Sequence, residues 1–478
     1  MVLRVRLKCK EELPHAMAAI RFMYTGEVEA AGFEGLLRTR RLAARLWVEG
    51  CVKACDSALL ALLGATPPPG GDPFGAVMQL YAHRDLVPGA DAEPDGKPSV
   101  AALSSAVLGF CRDRLAQHFP PDQADGGSGA QGGGSAAAIA ATPASLRPVM
   151  VWVFPSAPAV LNNADALKAL LRLPARAMAE LLSCEAFATD SEDSVLLLLA
   201  HWLEANPQAP DPDRRRLVRA VRLVQLSGAF RCALLPELPW LGLGTDEHRF
   251  LCAFAAVPPA RRSRLAVNFQ YDMLGPWYSS APRPSARSPK GRRLQWSIGR
   301  EELAASCNVY GVFAAAGPGS GGLVVAGVEW RPRLSYLTCP GYAAAGFFCD
   351  LHGRLPAVFG GGSAEQQQRL SWLHCAAAPG PCSLTLRRAP GPGGQEQEAL
   401  EQSVGEDAVP TIFASFAPPG EEAEEAVNAE EAAVEGEEAR AATVSSAQGP
   451  VAAPPLVPLS RWRGYLRDGR ITGTLALL

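Results

Sequence analysis

Apolar positions recur at helical spacing in the first half of the chain and in short strand-like runs beyond residue 293. The stretch that organises the first half is 170–202, LLRLPARAMAELLSCEAFATDSEDSVLLLLAHW. Val195, Leu198, Leu199, Trp202 and Leu203 recur every three to four residues, which predicts a helix with one buried face. Ser191 is placed to cap it, and Glu192 and Asp193 fall in the first turn, where the helix dipole favours carboxylates. Thr189 with Glu192 offers an alternative capping box. Upstream, Leu170, Leu171, Leu173, Met178, Leu181 and Leu182 predict a second apolar helix with Pro174 near its start. A short polar turn at Cys184 and Glu185 joins the two into a helical hairpin.

Ahead of the hairpin, residues 2–7 (VLRVRL) alternate as a half-buried strand does. A helix is predicted over 13–24, ending at Gly26, which suits the left-handed position after a helix. A second, over 33–46, sets Phe33, Leu36, Leu37, Leu42 and Leu46 opposite its arginines. A third, over 48–63, gathers Val52, Cys55, Leu59, Leu60 and Leu63. Residues 64–98 read as a Pro/Gly-rich connection with one short helix at 74–81. A helix over 100–119 turns Val100, Leu103, Val107, Leu108, Cys111 and Leu115 inward. The Gly/Ala/Ser-rich 120–147 is expected to be a disordered insert, and 148–159 is apolar without a clear period. After the hairpin, 211–226 reads as a basic amphipathic helix. Arg214, Arg215, Arg216, Arg219 and Arg222 oppose Leu217, Val218, Val221, Val224 and Leu226. Its arginines suit a solvated outer face better than an RNA, membrane or partner surface, because no aromatics are interleaved. Helices at 234–243 and 246–257 complete the set. The basic, Pro/Ser-rich 261–293, with RPSARSPKGRR at 283–293, reads as a solvated linker or a nuclear-import patch.

Strands are predicted at 294–298, 308–313, 323–330, 344–350, 373–376, 382–386, 411–416 and 469–478, punctuated by Gly, Pro and Asn. Segments 389–409 and the acidic 418–455 are expected to be disordered inserts. The implied fold is α+β and multidomain, with a C-terminal antiparallel β-sandwich-like part.

Composition narrows the chemistry. The chain has 478 residues, enough for about three domains. A net charge of -3 gives no overall basic field that points to nucleic acid. Twelve scattered cysteines and an N-terminus without a secretory apolar region point to a reducing, intracellular setting, nuclear and/or cytoplasmic. No apolar run approaches the roughly 20 residues of a membrane helix. No G-x-S-x-G nucleophile elbow occurs. Gly317, Gly319 and Gly322 satisfy G-x-G-x-x-G, but they precede a strand instead of opening a helix, so a hairpin loop is expected. Cys339, Cys349, His352, His374, Cys375 and Cys382 lack any C-x-x-C pair, and no metal site is expected from them. Cys51 and Cys55 share a helix face with core neighbours. No catalytic, cofactor-binding or metal residue is therefore assigned.

Three sets of motifs resemble known families. AIRFMYTGEV at 19–28 and LLRTRRLAARLWVEGCVKACDSALLALL at 36–63 resemble the later half of a BTB/POZ domain. The family's opening dimerising helix and first motif have no counterpart here. Residues 1–63 are therefore expected to be the C-terminal half of that α/β fold, begun at an internal Met or lacking an upstream exon. LLSCEAFATDSEDSV with Trp202, and RLVRAVRLVQLSGAFRCALLPEL at 216–238, resemble the all-helical BACK domain, expected over 99–260 with the insert 120–147. For the C-terminal region, expected over 294–478, RRLQWSIGREELAA, GYAAAGFFCDLHG and VPLSRWRGYLRDGRITGTLALL are similar to the terminal β domain of the plant light-response BTB family. The linkers are 64–98 and 261–293. The resemblance implies a substrate adaptor of a cullin-3-based ubiquitin ligase, without catalysis of its own. It implies a cullin-3-type scaffold and a protein substrate as partners, and a homodimer where the missing half is present. The alternative is a BTB–BACK scaffold or transcription-associated interaction factor independent of any ligase.

Overall fold

The computed structural model describes residues 6–65, 74–88, 98–118, 146–258, 261–262, 264, 275–286, 293–305, 308–314, 322–336, 346–359, 381–388, 399–405, 409–415, 462 and 465–477. Two compact units emerge: Met1–Val160 with Asp165–Ala188 and His201–Val221, and Leu161–Ala164 with Thr189–Ala200 and Arg222–Leu478. No helix among the described residues is long and apolar enough to cross a membrane.

The first unit is helical. Helix α1 (Leu13–Thr25) carries Pro14 in its first turn and stops at Gly26, whose φ of 73° ends it in the left-handed region. Helices α2 (Gly32–Arg45) and α3 (Glu49–Gly64) pack with it around Leu36, Leu37, Leu42, Cys51, Cys55 and Leu59. Two side chains depart from the predicted faces. Arg40 is buried in an ion pair with Asp56 instead of facing water, and Leu60 is 45% exposed. Of the expected strand at 2–7, Arg6 and Leu7 form no strand and the rest lies outside the described residues.

Helix α4 (Gly75–Ala82) packs near α5 (Pro98–His118), where Phe74 stacks on His118. The insert expected at 120–147 lies outside the described residues apart from its end. The apolar stretch that follows folds into α6 (Arg147–Val153) and α7 (Ala157–Leu161). The single helix expected over 170–182 is instead two, α8 (Ala164–Leu171) and α9 (Ala175–Leu182). Pro174, at ψ 157°, caps α9, and the residue before a proline is turned away from helical geometry.

Helix α10 (Glu192–Ala205) differs from a one-faced helix, because Leu196 and Leu197 are as buried as Leu198 and Leu199. At its far end Trp202 Nε1 donates to Leu173 O at 2.9 Å, and Asn206 Nδ2 donates to Leu171 O at 3.0 Å. Helix α11 (Asp211–Arg219) is shorter than predicted. The backbone N–H of Arg222 donates to Glu192 Oε1 at 2.8 Å and so leaves the helical ladder. The Arg222 side chain is buried, donating to Ala281 O, and does not join the solvated face.

In the second unit, the helix expected at 234–243 is replaced by a π turn, Phe230–Leu234, and 3-10 turns at Leu235–Glu237 and Pro239–Leu241. Pro236 and Pro239 have no N–H to sustain an α-helix. Helix α12 (Thr245–Ala256) follows, with Phe250, Leu251 and Phe254 inward and Tyr278 packed edge-on to both rings.

Beyond α12, the described residues of this unit form two antiparallel five-stranded sheets. Its elements are β1 (Arg293–Gly299), α13 (Arg300–Ala305), β2 (Asn308–Tyr310), β3 (Val312–Phe313), β4 (Leu323–Val325), β5 (Val328–Tyr336), β6 (Gly346–Arg354), β7 (Cys382–Leu386), β8 (Leu400–Val404), β9 (Thr411–Ser415) and β10 (Arg470–Leu477). One sheet runs β3-β1-β10-β7-β8; the other runs β2-β5-β6-β9 with β4 paired to β5. Burial alternates along β1 and β10, as one-sided sheets require. The expected strand 308–313 changes sheet at Gly311, where a Cβ would lie 3.3 Å from both Ile298 and Pro332. The chain changes sheet again after β8, where Thr411 N donates to Gln402 Oε1 at 3.0 Å.

The strand expected over 323–330 is a hairpin, because Ala326 (φ 49°) and Gly327 (φ 73°) form a two-residue turn. The insert expected at 389–409 contains β8, which pairs with β7 from Cys382↔Val404 to Leu386↔Leu400. The expected strand at 373–376 and insert at 418–455 lie outside the described residues.

Candidate functional site: the acidic start of helix α10

Residues 189–194 leave few polar atoms idle. Ser191 Oγ accepts from Asp193 N at 3.0 Å, which caps α10 as its sequence predicts. The alternative box does not form: Thr189 Oγ1 donates to Ser191 O at 2.6 Å, and Glu192 turns elsewhere. Glu192 Oε2 accepts from Arg283 Nε at 2.9 Å and Oε1 from Arg283 Nη2 at 3.2 Å, a bidentate pair with side chains 3% and 1% exposed. Arg283, expected in a solvated basic linker, is therefore a core residue. Beside it Thr189 N donates to Pro284 O at 3.0 Å and Ala286 N to Thr189 O at 2.9 Å, forming a short parallel bridge.

Three side chains hold the β4–β5 turn by its backbone. Asp190 Oδ2 accepts from Ala326 N at 2.7 Å, and Ser194 Oγ from Gly327 N at 3.0 Å. Asn162 exchanges two bonds with Val324, at 2.8 and 2.7 Å, as a strand neighbour would. A Cβ on Gly327 would lie 2.8 Å from Asp193 Cβ, so this turn admits only glycine where it crosses the helix. Asp193 Oδ1 accepts from Ser227 N at 3.0 Å. Burial pushes the Asp193 carboxyl up to about 7, against the pull of its bonds to Ser227 and Ser191, with the Asp190 charge adding to the rise.

Chemically, this arrangement is a joint. Its carboxyl groups are committed to guanidinium, hydroxyl and backbone partners, as buried polar groups must be. Sequence spacing identified the cap but not the contacts with Ser227, Arg283 and Ala326, which have no local signal.

The other sequence candidates do not converge. Cys51 and Cys55 are buried, and burial drives the Cys55 thiol up to about 12. Cys349 and His352 lie on β6 at odd spacing, hence on opposite faces, while Cys382 lies on β7 in the other sheet. Cys339, His374 and Cys375 lie outside the described residues, among which no group of three metal-binding side chains gathers. Gly317 and Gly319 are likewise outside. Gly322 precedes β4, and the Glu329 side chain fills the space where its Cβ would point, 2.4 Å away. Arg215, Arg216 and Arg219 are exposed around a shallow cleft with Pro212, whereas Arg214 donates to Ala209 O at 3.0 Å.

Among known proteins, no curated sequence matches the chain. Residues 160–232 match the family model described as BACK, BTB And C-terminal Kelch. The chain is thus similar to BTB/BACK-type proteins over a span that contains α8 to α11, including the acidic start of α10.

Proposed function

We propose that the protein is a substrate-recognition adaptor of a cullin-3-based ubiquitin ligase, acting in the nucleus and/or cytoplasm without catalysis of its own. The observation that carries this reading is the BACK-type span 160–232, whose acidic motif is hydrogen-bonded to the β4–β5 turn of a two-sheet fold. Such an anchored β fold suits the capture of a protein substrate, while the BTB- and BACK-like helices engage the scaffold. An adaptor of this kind works by proximity, raising the substrate's effective concentration near the charged ubiquitin enzyme. Its polar groups are then needed for assembly, which agrees with a joint whose carboxylates are all committed.

The test is co-purification of the chain with a cullin-3 scaffold, followed by reconstituted ubiquitylation of proteins that bind residues 294–478. Saturable scaffold binding is expected. Failure to bind the scaffold, with the β fold intact by circular dichroism, would replace this reading with a ligase-independent scaffold protein.

A further inference from the structure

Two thiols in the second unit lie outside the joint and face one another. Cys232, in the Phe230–Leu234 turn, is exposed, and its Sγ lies 3.9 Å from Sγ of Cys252 on α12. Cys252 is partly buried, and its Sγ lies 3.5 Å from Nε2 of His248, one helical turn earlier. The same Nε2 is 2.9 Å from Arg231 O. A carbonyl only accepts, so Nε2 carries a hydrogen, and Cys252 Sγ lies on the donor side of the ring. Burial first, and then Cys232, hold the Cys252 thiol above its usual range, with Arg231 pulling the other way. Cys51 and Cys55 make the useful contrast, since both are sealed in the core at 0% exposure.

The geometry points to Cys232 and Cys252 as an oxidisable dithiol, in which exposed Cys232 reacts first with a low-molecular-weight disulfide and Cys252 resolves the product. In the first step Cys232 gives its proton to solvent and its thiolate attacks one sulfur of glutathione disulfide. A Cys232–glutathione bond forms, the glutathione S–S bond breaks, and the departing thiolate takes a proton. In the second step Cys252 gives its proton to solvent and its sulfur attacks Cys232 Sγ. The intramolecular S–S bond forms, and the second glutathione leaves as a thiolate and is protonated. The chain loses two hydrogens and two electrons, and one glutathione disulfide becomes two glutathione thiols. The final bond of about 2.05 Å requires each sulfur to move about 1 Å, within reach of side-chain rotation. The bond ties the turn at 230–234 to α12, an attachment that in the reduced chain rests on noncovalent contacts.

The experiment exposes the full chain to glutathione disulfide and maps peptides by non-reducing mass spectrometry. The expected product is a Cys232–Cys252-linked peptide with the mass of two lost hydrogens, reversed by dithiothreitol. In Cys252→Ser, Cys232 is expected to accumulate as the glutathione mixed disulfide; in Cys232→Ser, Cys252 is expected to stay a thiol. A stable mixed disulfide at Cys232 in the unsubstituted chain overturns the proposal. So does a linkage of Cys232 to any other cysteine, or faster modification of Cys252 than of Cys232.

Discussion

Arg283 and Glu192, 91 residues apart, form a buried bidentate ion pair whose side chains are 1% and 3% exposed. Arg283→Ala leaves the carboxylate buried without its counter-charge and is expected to cost about 3–5 kcal/mol. Joining it with Glu192→Leu removes the stranded charge, and the double variant is expected to recover part of that loss. Urea unfolding of the three variants checks the order. A double variant less stable than Arg283→Ala would show that Glu192 serves chiefly through its bond to Arg222 N.

Asp193 makes stability depend on pH. In the folded chain its carboxyl holds a proton up to about 7, whereas an unfolded aspartate releases it near its ordinary value of 3.8. The folded state thus binds more protons between those limits. Its contribution is greatest below the unfolded value and is lost as pH rises through about 7. Asp193→Asn keeps an oxygen to accept from Ser227 N and carries no charge. It is expected to flatten the fall in melting temperature between pH 5 and 8, and to melt no lower than the unsubstituted chain at pH 8.

Gly26 and Gly327 share a φ of 73° and differ in their surroundings. Gly26→Ala meets open space and is expected to cost only the left-handed strain, about 1 kcal/mol. Gly327→Ala adds a clash with the Asp193 backbone at 2.9 Å, and overpacking contributes a further 1–3 kcal/mol or about that. Denaturant midpoints of the two variants should separate accordingly.

Trp202→Phe keeps most of the ring volume and removes the donor to Leu173 O. The carbonyl loses its indole partner, and a loss of about 1–3 kcal/mol is expected by urea unfolding.

Local signals carried the sequence reading as far as they physically can. Gly26 and Ser191 act on residues within one helical turn, so their roles could be read directly. Helical and strand periods likewise placed α1 to α3, α5, β1, β7 and β10 close to their observed limits. Proline broke the expected helices at Pro174, Pro236 and Pro239, where hydrophobic spacing alone runs on. The one-strand reading of 323–330 failed because Ala326 is an unusual residue for a positive φ, and only its partner in the turn is a glycine. The acidic joint was half legible. Its cap was visible, but the burial of Arg283 depends on a partner 91 residues away in a stretch whose composition resembles a solvated linker.

The position of β10 has a consequence for how the chain is made. It lies between β1 and β7 in its sheet, yet follows every other strand of both sheets in sequence. Gly473 on β10 has no space for a Cβ, which would stand 2.3 Å from the ring of Trp296 on the neighbouring strand. While the ribosome is still upstream of Arg470, β1 and β7 have no strand between them, and Trp296 lacks the Gly473 backbone that packs on its ring. During synthesis the helical parts can therefore fold vectorially, while this sheet waits for its centre. A nascent or prematurely terminated chain presents two strand edges and a partly uncovered tryptophan, the features that recruit chaperones or seed aggregation.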